Sequence, residues 1–340
     1  MFELPDWPQS GHAGLRGRYR ATPEAFRVVE LLDLEAEGAG EHLLCEVEKR
    51  GLNSADVAAQ LGRIVCIPAL DVGFCGAKDR HAVTRQWFSL RDPKGRGWPA
   101  DVPQERYAED GSGWRVLRTV RRGRKLRRGE HAGNAFELCL ELEGEATRVA
   151  EPAALTRRLA AGVPNYFGPQ RFGRDGSNLA RARNWIEAGA RLPGRGAQRG
   201  YVLSAARSLL FNEVVAARVR AGVLDRLLPG DVPDAEDADV ATAPLWGRGR
   251  SAATSDAAAL EATALAPWRA WCDALEHVGL AHERRPVLLR PGSLSVHREA
   301  SALRLSFTLP PGAFATALLA ALGDFRDATT DRSAALGSAA

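Results

Sequence analysis

The 340-residue sequence predicts an α+β protein in which a strand-rich domain is interrupted by a mainly helical insertion. Three observations carry that prediction. Segments toward both ends alternate apolar and polar residues with a period of two. The middle of the chain holds long stretches with apolar residues three and four apart. Clusters of glycine and proline separate the two regimes.

From Phe26 to Lys49 the sequence predicts two strands, with Gly38 and Gly40 marking the turn between them. In the second, Leu43, Cys45 and Val47 alternate with Leu44, Glu46 and Glu48, so one face is the more buried. Asn53 stands where it can cap a helix whose Val57, Leu61, Ile64 and Val65 form one apolar stripe. Gly73 and Gly76 then break regularity, and Gln86 to Leu90 returns to a strand. Asp79 therefore falls in a glycine-bounded loop between short extended pieces, a setting in which reactive groups are commonly held.

Pro93 to Gly113 reads as a surface loop and Trp114 to Val120 as a strand. Phe136, Leu138, Leu140 and Leu142 share one face of a strand over Asn134 to Leu142. A helix from about Glu151 to Ala161 stops at Gly162, and Val163 to Gly173 is rich in turn formers and aromatics. Ser204 is expected to cap a long helix through Val219, Pro229 to Ala243 reads as an acidic loop, and Ala257 to His277 as a second helical stretch. Leu303, Leu305, Phe307 and Leu309 alternate as a strand before Pro310-Pro311-Gly312 and a helix at about Ala313 to Leu322. A disordered tail is expected over 328–340.

Composition bounds the function. A hydrophobic content of 45% supports a substantial core, and 46 Lys and Arg against 42 Asp and Glu leave a net charge of only +4. A pI near 8.9 is compatible with a basic face balanced by acidic stretches elsewhere. The cysteines at 45, 66, 75, 139 and 272 show no CxxC spacing, so neither a disulfide framework nor a metal site is indicated. No signal peptide and no apolar run near the roughly 20 residues of a spanning helix is found, and a cytoplasmic monomer with no membrane association and no protein partner is expected.

Asp79 lies between Lys78 and Arg80 with His81 next to it, so surrounding positive charge would keep it ionised, as a nucleophile or base requires. The bland alternative is a loop aspartate in an ion pair. Arg115, Arg118, Arg121, Arg122, Arg124, Lys125, Arg127 and Arg128 follow one another without an intervening acid. Such density repels itself unless a polyanion compensates, which points to RNA; a solvated charged surface is the alternative.

Together these stretches resemble the TruD family of tRNA pseudouridine synthases along nearly the whole chain. The shared motifs are Gly40 to Leu44, Gly76 to Phe88, Arg124 to Gly129 with Gly133 to Phe136, Gly162 to Gly173, Ser204 to Ser208 with Leu210 to Asn212, and Leu309-Pro310 with Gly312 to Thr316. The resemblance implies a discontinuous pseudouridine synthase catalytic domain on an antiparallel or mixed sheet, 1–161 and 291–327, with a mainly helical α/β TRUD domain inserted over 162–290. It implies tRNA as partner, uridine at position 13 as substrate, and no cofactor.

Residue by residue, Asp79 matches the family's catalytic aspartate and Lys78 the lysine before it. Asn134 and Phe136 match the pattern that lines the uracil pocket, with Phe136 stacking on the base. Arg20 stands where the family often has lysine, so a planar fork replaces a point donor. Arg80, Arg124, Lys125, Arg127, Arg128 and Arg171 are the expected RNA contacts. Phe136 could equally be a core aromatic, Asn134 could serve backbone groups, and Lys78 could simply pair with Asp79. Tyr166 and Phe172 could contact RNA or be core. The acidic stretch Val232 to Gly249 is shorter than is usual in the family.

Two other classes stay in view. A binding protein would use the basic strip but not Asp79. A metal-dependent hydrolase would need further ligands, and the histidines at 12, 42, 81, 131, 277, 282 and 297 are scattered.

Overall fold

The computed structural model describes residues 2–11, 13–34, 38–144, 151–192 and 196–329. Its strands are β1 (Leu15–Tyr19), β2 (Phe26–Leu31), β3 (His42–Arg50), β4 (Gly73–Phe74), β5 (Val83–Arg91), β6 (Glu105–Tyr107), β7 (Gly113–Arg122), β8 (Gly133–Leu142), β9 (Val163–Pro164), β10 (Thr242–Leu245), β11 (Glu283–Pro286), β12 (Leu288–Leu289), β13 (Gly292–Glu299), β14 (Ala302–Leu309) and β15 (Gly323–Asp327). The helices are α1 (Ser54–Ile64), α2 (Pro152–Ala160), α3 (Ser177–Glu187), α4 (Ala197–Arg220), α5 (Ser255–Leu265), α6 (Arg269–Glu276) and α7 (Ala315–Leu322). None of the described helices is long and apolar enough to cross a membrane.

The chain divides into two compact units. One comprises Gly14–Arg157, Pro291–Ala313 and Asp324–Ala340; the other comprises Met1–Ala13, Arg158–Arg290 and Phe314–Gly323. Met1–Ala13 and Phe314–Gly323 thus group with the helical unit, although their sequence position suggested the strand-rich one. Of the expected tail, Ala328 is buried and Thr329 donates to Asp327 through both its N–H and its hydroxyl. Residues 330–340 lie outside those described.

In the strand-rich unit an 11-stranded sheet runs in the order β13-β14-β8-β2-β5-β3-β7-β6, with β1 joining β8 and β15, and β4 joining β5. β2–β5 is parallel, whereas β8 runs antiparallel to β1, β2 and β14, and β3 antiparallel to β5 and β7, so the sheet is mixed. The period-two alternation explains how β3 is covered on both faces. Leu43, Cys45 and Val47 meet Val57, Ala58 and Leu61 of α1, while Leu44 on the opposite face meets Cys75, Trp87 and Leu126. The Asp79 loop begins at Cys75, so its start is fixed by core packing.

Several elements depart from the sequence reading. Asn53 occupies the N-cap of α1, but its side chain makes no capping bond and instead donates to Asp56. The loop after Pro93 contains β6, which pairs with β7. β1, β13, β15 and α3 were not anticipated; β1 is only five residues long, too short for a clear period. α4 starts at Ala197, so Ser204 lies inside the helix; Gly196, with φ 112°, marks the true start. The Ala257 to His277 stretch is two helices joined by a 3₁₀ turn at Ala266–Trp268, where Pro267 cannot continue an α-helix. In the helical unit α4 runs through the core, and its Leu209, Phe211, Val214 and Val215 are fully buried. Tyr166 and Phe172 belong to this core, with Trp7 stacked on Tyr166, so neither ring is a surface contact.

Candidate active site

Asp79 follows Cys75 by four residues on a loop that is held from three directions. The Lys78 N–H donates to Ser54 Oγ at the start of α1 (2.9 Å), and that hydroxyl donates to Gln86 Oε1 on β5 (2.5 Å). Gln86 Nε2 in turn donates to the Gly76 carbonyl (3.1 Å). Lys49, on β3 and fully buried, donates from Nζ to the carbonyls of Asp79 (2.7 Å), Leu52 (2.9 Å) and Lys78 (3.4 Å). Burial pushes the Lys49 ammonium down to about 8, partly opposed by the charge of Asp79. The loop backbone is thus fixed while the Asp79 side chain is left 36% exposed.

That side chain meets Arg20. Arg20 Nη2 forms an ion pair with Asp79 Oδ2, and Arg20 Nη1 pairs with Asp327 Oδ2 at 2.7 Å. The guanidinium also lies over the Phe26 ring, 4.4 Å from its centroid. Arg20 adopts φ 59°, a left-handed conformation that costs a non-glycine residue about 1–3 kcal/mol and persists only where surroundings over-determine it. Here two carboxylates and an aromatic face do so. Burial pushes the Asp327 carboxyl up, but the hydrogen bonds from Thr329 and the charge of Arg20 outweigh it and hold the group below the usual range. β1 ends at Tyr19 and its paired strand β15 ends at Asp327, so Arg20, one residue past β1, lies within reach of the Asp327 carboxylate.

Lys78 does not pair with Asp79. Its ammonium turns inward to Glu30 Oε2 of β2 (2.7 Å), and both side chains are buried, at 6% and 0% exposure. The second Glu30 oxygen accepts from the Trp87 N–H (3.2 Å). Asn134 stands opposite Glu30 in the β2–β8 register, and its Nδ2 approaches His131 Nε2 (3.4 Å). Its Oδ1 is buried and without a hydrogen bond among the described residues, as is His131 Nδ1. Phe136 is 8% exposed, stacked on Phe307 at 5.2 Å and edge-on to Phe26 at 6.3 Å. The aromatic series therefore reaches Arg20 through Phe26.

Among the described residues one group could share an ion: ligand atoms of Glu30, Cys75 and His131 lie within 4.8 Å of one another. Linear spacing hid it, because the three come from β2 and two separate loops. Lys78 already places a cation on Glu30, and burial together with the Lys78 charge lowers the His131 pKa. All five cysteines are free thiols.

The basic strip is not a bare run of charge. Arg115 pairs with Glu48, Arg118 with Glu46, Arg121 with Asp92, and both Arg122 and Arg124 with Glu130. Neighbouring strands and a turn supply the acids that the linear sequence lacks, which overturns self-repulsion as an argument for RNA. Lys125 donates to the Leu70 carbonyl, and Arg80 to the Gly51 carbonyl at 3.1 Å. Arg127 and Arg128 are exposed and form no ion pair among the described residues. Arg171, in the other unit, donates to Ser204 Oγ (2.9 Å). Sequence reasoning missed Glu30, Lys49, Ser54, Gln86 and Asp327. For Lys49, which shares a β3 face with Leu43, Cys45 and Val47, and for Gln86, which shares a β5 face with Phe88 and Leu90, the signal available was a polar group at a strand position that must face inward.

Comparison with known proteins identifies the family and the fold. The family model for tRNA pseudouridine synthase D (TruD) matches residues 9–182, just over half of the chain. A tRNA pseudouridine synthase D from Cellvibrio japonicus is 42% identical over 325 residues, covering 92% of this chain and 91% of that protein. One from Chromohalobacter salexigens is 42% identical over 357 residues, covering 94% and 97%. A crystal structure of a Methanosarcina mazei protein assigned as tRNA pseudouridine synthase D (TruD) superposes with a TM-score of 0.66 at 20% identity, covering 93% of this chain and 95% of that one, which establishes the shared fold. With a matching family model, close relatives spanning nearly the full length and a common α+β fold, the chain belongs to the tRNA pseudouridine synthase D (TruD) family of enzymes.

Proposed function

We propose that this protein isomerises uridine to pseudouridine in tRNA, at position 13, with Asp79 as the group that opens the reaction. The observation that carries the reading is the ion pair of Asp79 with Arg20, on a loop fixed by Lys49, Ser54 and Gln86 but with the carboxylate itself open to solvent. The strand-rich unit is then the catalytic domain, and the helical unit the inserted TRUD domain.

The reaction breaks N1–C1′, turns the uracil and forms C5–C1′, with no change in atoms or oxidation state, so it calls for no redox partner. A carboxylate starts it either by attacking C1′ or by removing a sugar proton, and Asp79 serves both routes. Arg20 sets where the carboxylate points, and a buried guanidinium anchored on Asp327 keeps that direction while substrate exchanges. Asn134, with its uncommitted carbonyl oxygen, is suited to receive a donor on the uracil edge, and Phe136 to stack on the ring. Lys78 acts from below the loop by fixing Glu30 rather than by touching Asp79. Exposed Arg127 and Arg128, with Arg80, Arg124 and Lys125, then hold phosphates of the tRNA.

Purified protein incubated with unmodified tRNA transcripts, without metal or nucleotide, tests the reading. Pseudouridine mapped at position 13 is the expected product. Its absence there in every tRNA tried contradicts the proposed substrate.

A further inference from the structure

In the helical unit two guanidinium groups share one aromatic ring. Arg171 Cζ lies 5.0 Å and Arg285 Cζ 4.4 Å from the centroid of Phe167. Phe314 flanks Arg171 at 5.4 Å, and Phe211 flanks Arg285 at 5.6 Å. The frame beneath them is rigid. Asn212, fully buried on α4, accepts from the Phe167 N–H (2.9 Å) and donates to its carbonyl (3.0 Å). Buried Asn165 donates through Nδ2 to the Pro286 carbonyl (2.8 Å), which aims its Oδ1 to accept from Arg285 Nη2 (2.6 Å).

This treatment differs from that of other arginines in the same unit. Arg218 is paired with Asp231, and Arg284 with Glu261 at 2.5 Å, where it also donates to the Thr242 carbonyl. Arg171, by contrast, forms no ion pair among the described residues, and its hydroxyl partner Ser204 is neutral. Burial lowers the pKa of both Arg171 and Arg285, and for Arg285 the like charge of Arg171 adds to it, down to about 10. Two repelling cations on a preorganised apolar floor become favourable when an anion bridges them. Guanidinium forks fit phosphate oxygens in two-point contacts, and the aromatic floor strengthens each contact by excluding water.

We infer that Arg171 and Arg285, framed by Phe167, form an anion site that takes a phosphodiester group of the RNA substrate. This rests on the reading of the protein as a tRNA-modifying enzyme. The site assigns a role to Arg285 as well as to Arg171.

The test is equilibrium binding of unmodified tRNA to the full-length protein across a series of KCl concentrations, with Arg171→Gln, Arg285→Gln and the paired Arg171→Lys and Arg285→Lys variants. Each Gln variant is expected to raise Kd about tenfold at low salt and to reduce the slope of log Kd against log[KCl] by about 0.7–0.9, the change for one lost phosphate contact. The Lys variants are expected to retain the slope. Circular dichroism melting checks that the folded state is kept. An affinity loss with unchanged slope, or one that simply follows a fall in Tm, overturns the site. Inorganic phosphate that binds wild type but not the Gln variants, without any difference among them in tRNA binding, also overturns it. Because binding is read apart from product formation, a wild-type protein that bound tRNA with these slopes but made no pseudouridine would refute the proposed reaction and leave the anion site standing.

Discussion

Arg20 and Asp79 form an ion pair in which the arginine side chain is 4% exposed and the aspartate 36%. The buried partner is the anchor: it is fixed by Asp327 and the Phe26 face, and it points the accessible partner outward. Arg20→Ala removes both the aim and the charge. It is expected to lower kcat about 100-fold, the scale of a small misplacement at a reacting centre, with a much smaller change in tRNA Kd. Asp327→Asn, which loosens the anchor without touching Asp79, is expected to lower kcat less, and single-turnover rates on the two variants check the order.

Lys49 gives a pH-dependent signature. Its folded pKa is depressed to about 8 from an ordinary 10.5, so below pH 8 the cost of the buried charge is fully present. Between 8 and 10.5 the unfolded chain still holds a proton that the folded chain has released, and stability rises with pH where the unfolded state binds more protons. The stability of wild type relative to Lys49→Met is therefore expected to rise between pH 7 and pH 9.5 by up to about 2 kcal/mol. Urea unfolding at the two pH values measures it, and a gap that stays flat or shrinks contradicts the account.

The Lys78–Glu30 pair is buried on both sides. Breaking one half leaves an uncompensated charge, at a cost of about 3–5 kcal/mol, whereas replacing both is much milder. Lys78→Met and Glu30→Gln are each expected to be strongly destabilising, and the double variant less so than their sum. A double-mutant cycle by denaturant unfolding shows this as a favourable coupling; simple additivity argues against the pair.

Phe136 has both a core role and a proposed one. Its contacts with Phe307 and Phe26 mean that Phe136→Ala should cost about 3–5 kcal/mol of stability. Phe136→Leu keeps most of the apolar volume, so its stability loss should be about 1–2 kcal/mol, while kcat/KM falls well beyond that if the ring stacks on uracil. Unchanged kinetics in a folded Phe136→Leu protein would reduce this residue to a core aromatic.

The strands were legible because alternation is local: Leu43, Cys45 and Val47 declare one face of β3, and Phe136 to Leu142 one face of β8. The site was legible only at Asp79 and its motif neighbours. Lys49 shares the strand face of Leu43, Cys45 and Val47, but nothing near it or near Glu30 in sequence shows that a loop and a sheet will close over both. The strip around Arg115 to Arg128 misled for the same reason, since Glu46, Glu48 and Asp92 reach it from other strands and the preceding loop. The start of α4 was misplaced because Ser204 offered a cap while Gly196 carried the actual break.

Asp79 is the centre of the account, and Asp79→Asn tests it with almost no change in volume. Wild type and variant are mixed in excess with unmodified tRNA transcript, and pseudouridine at position 13 is followed in a single turnover alongside tRNA affinity. The expected result is loss of product formation by at least about 1,000-fold with tRNA binding and Tm nearly unchanged. An Asp79→Asn protein that forms pseudouridine at a rate near that of wild type would contradict it.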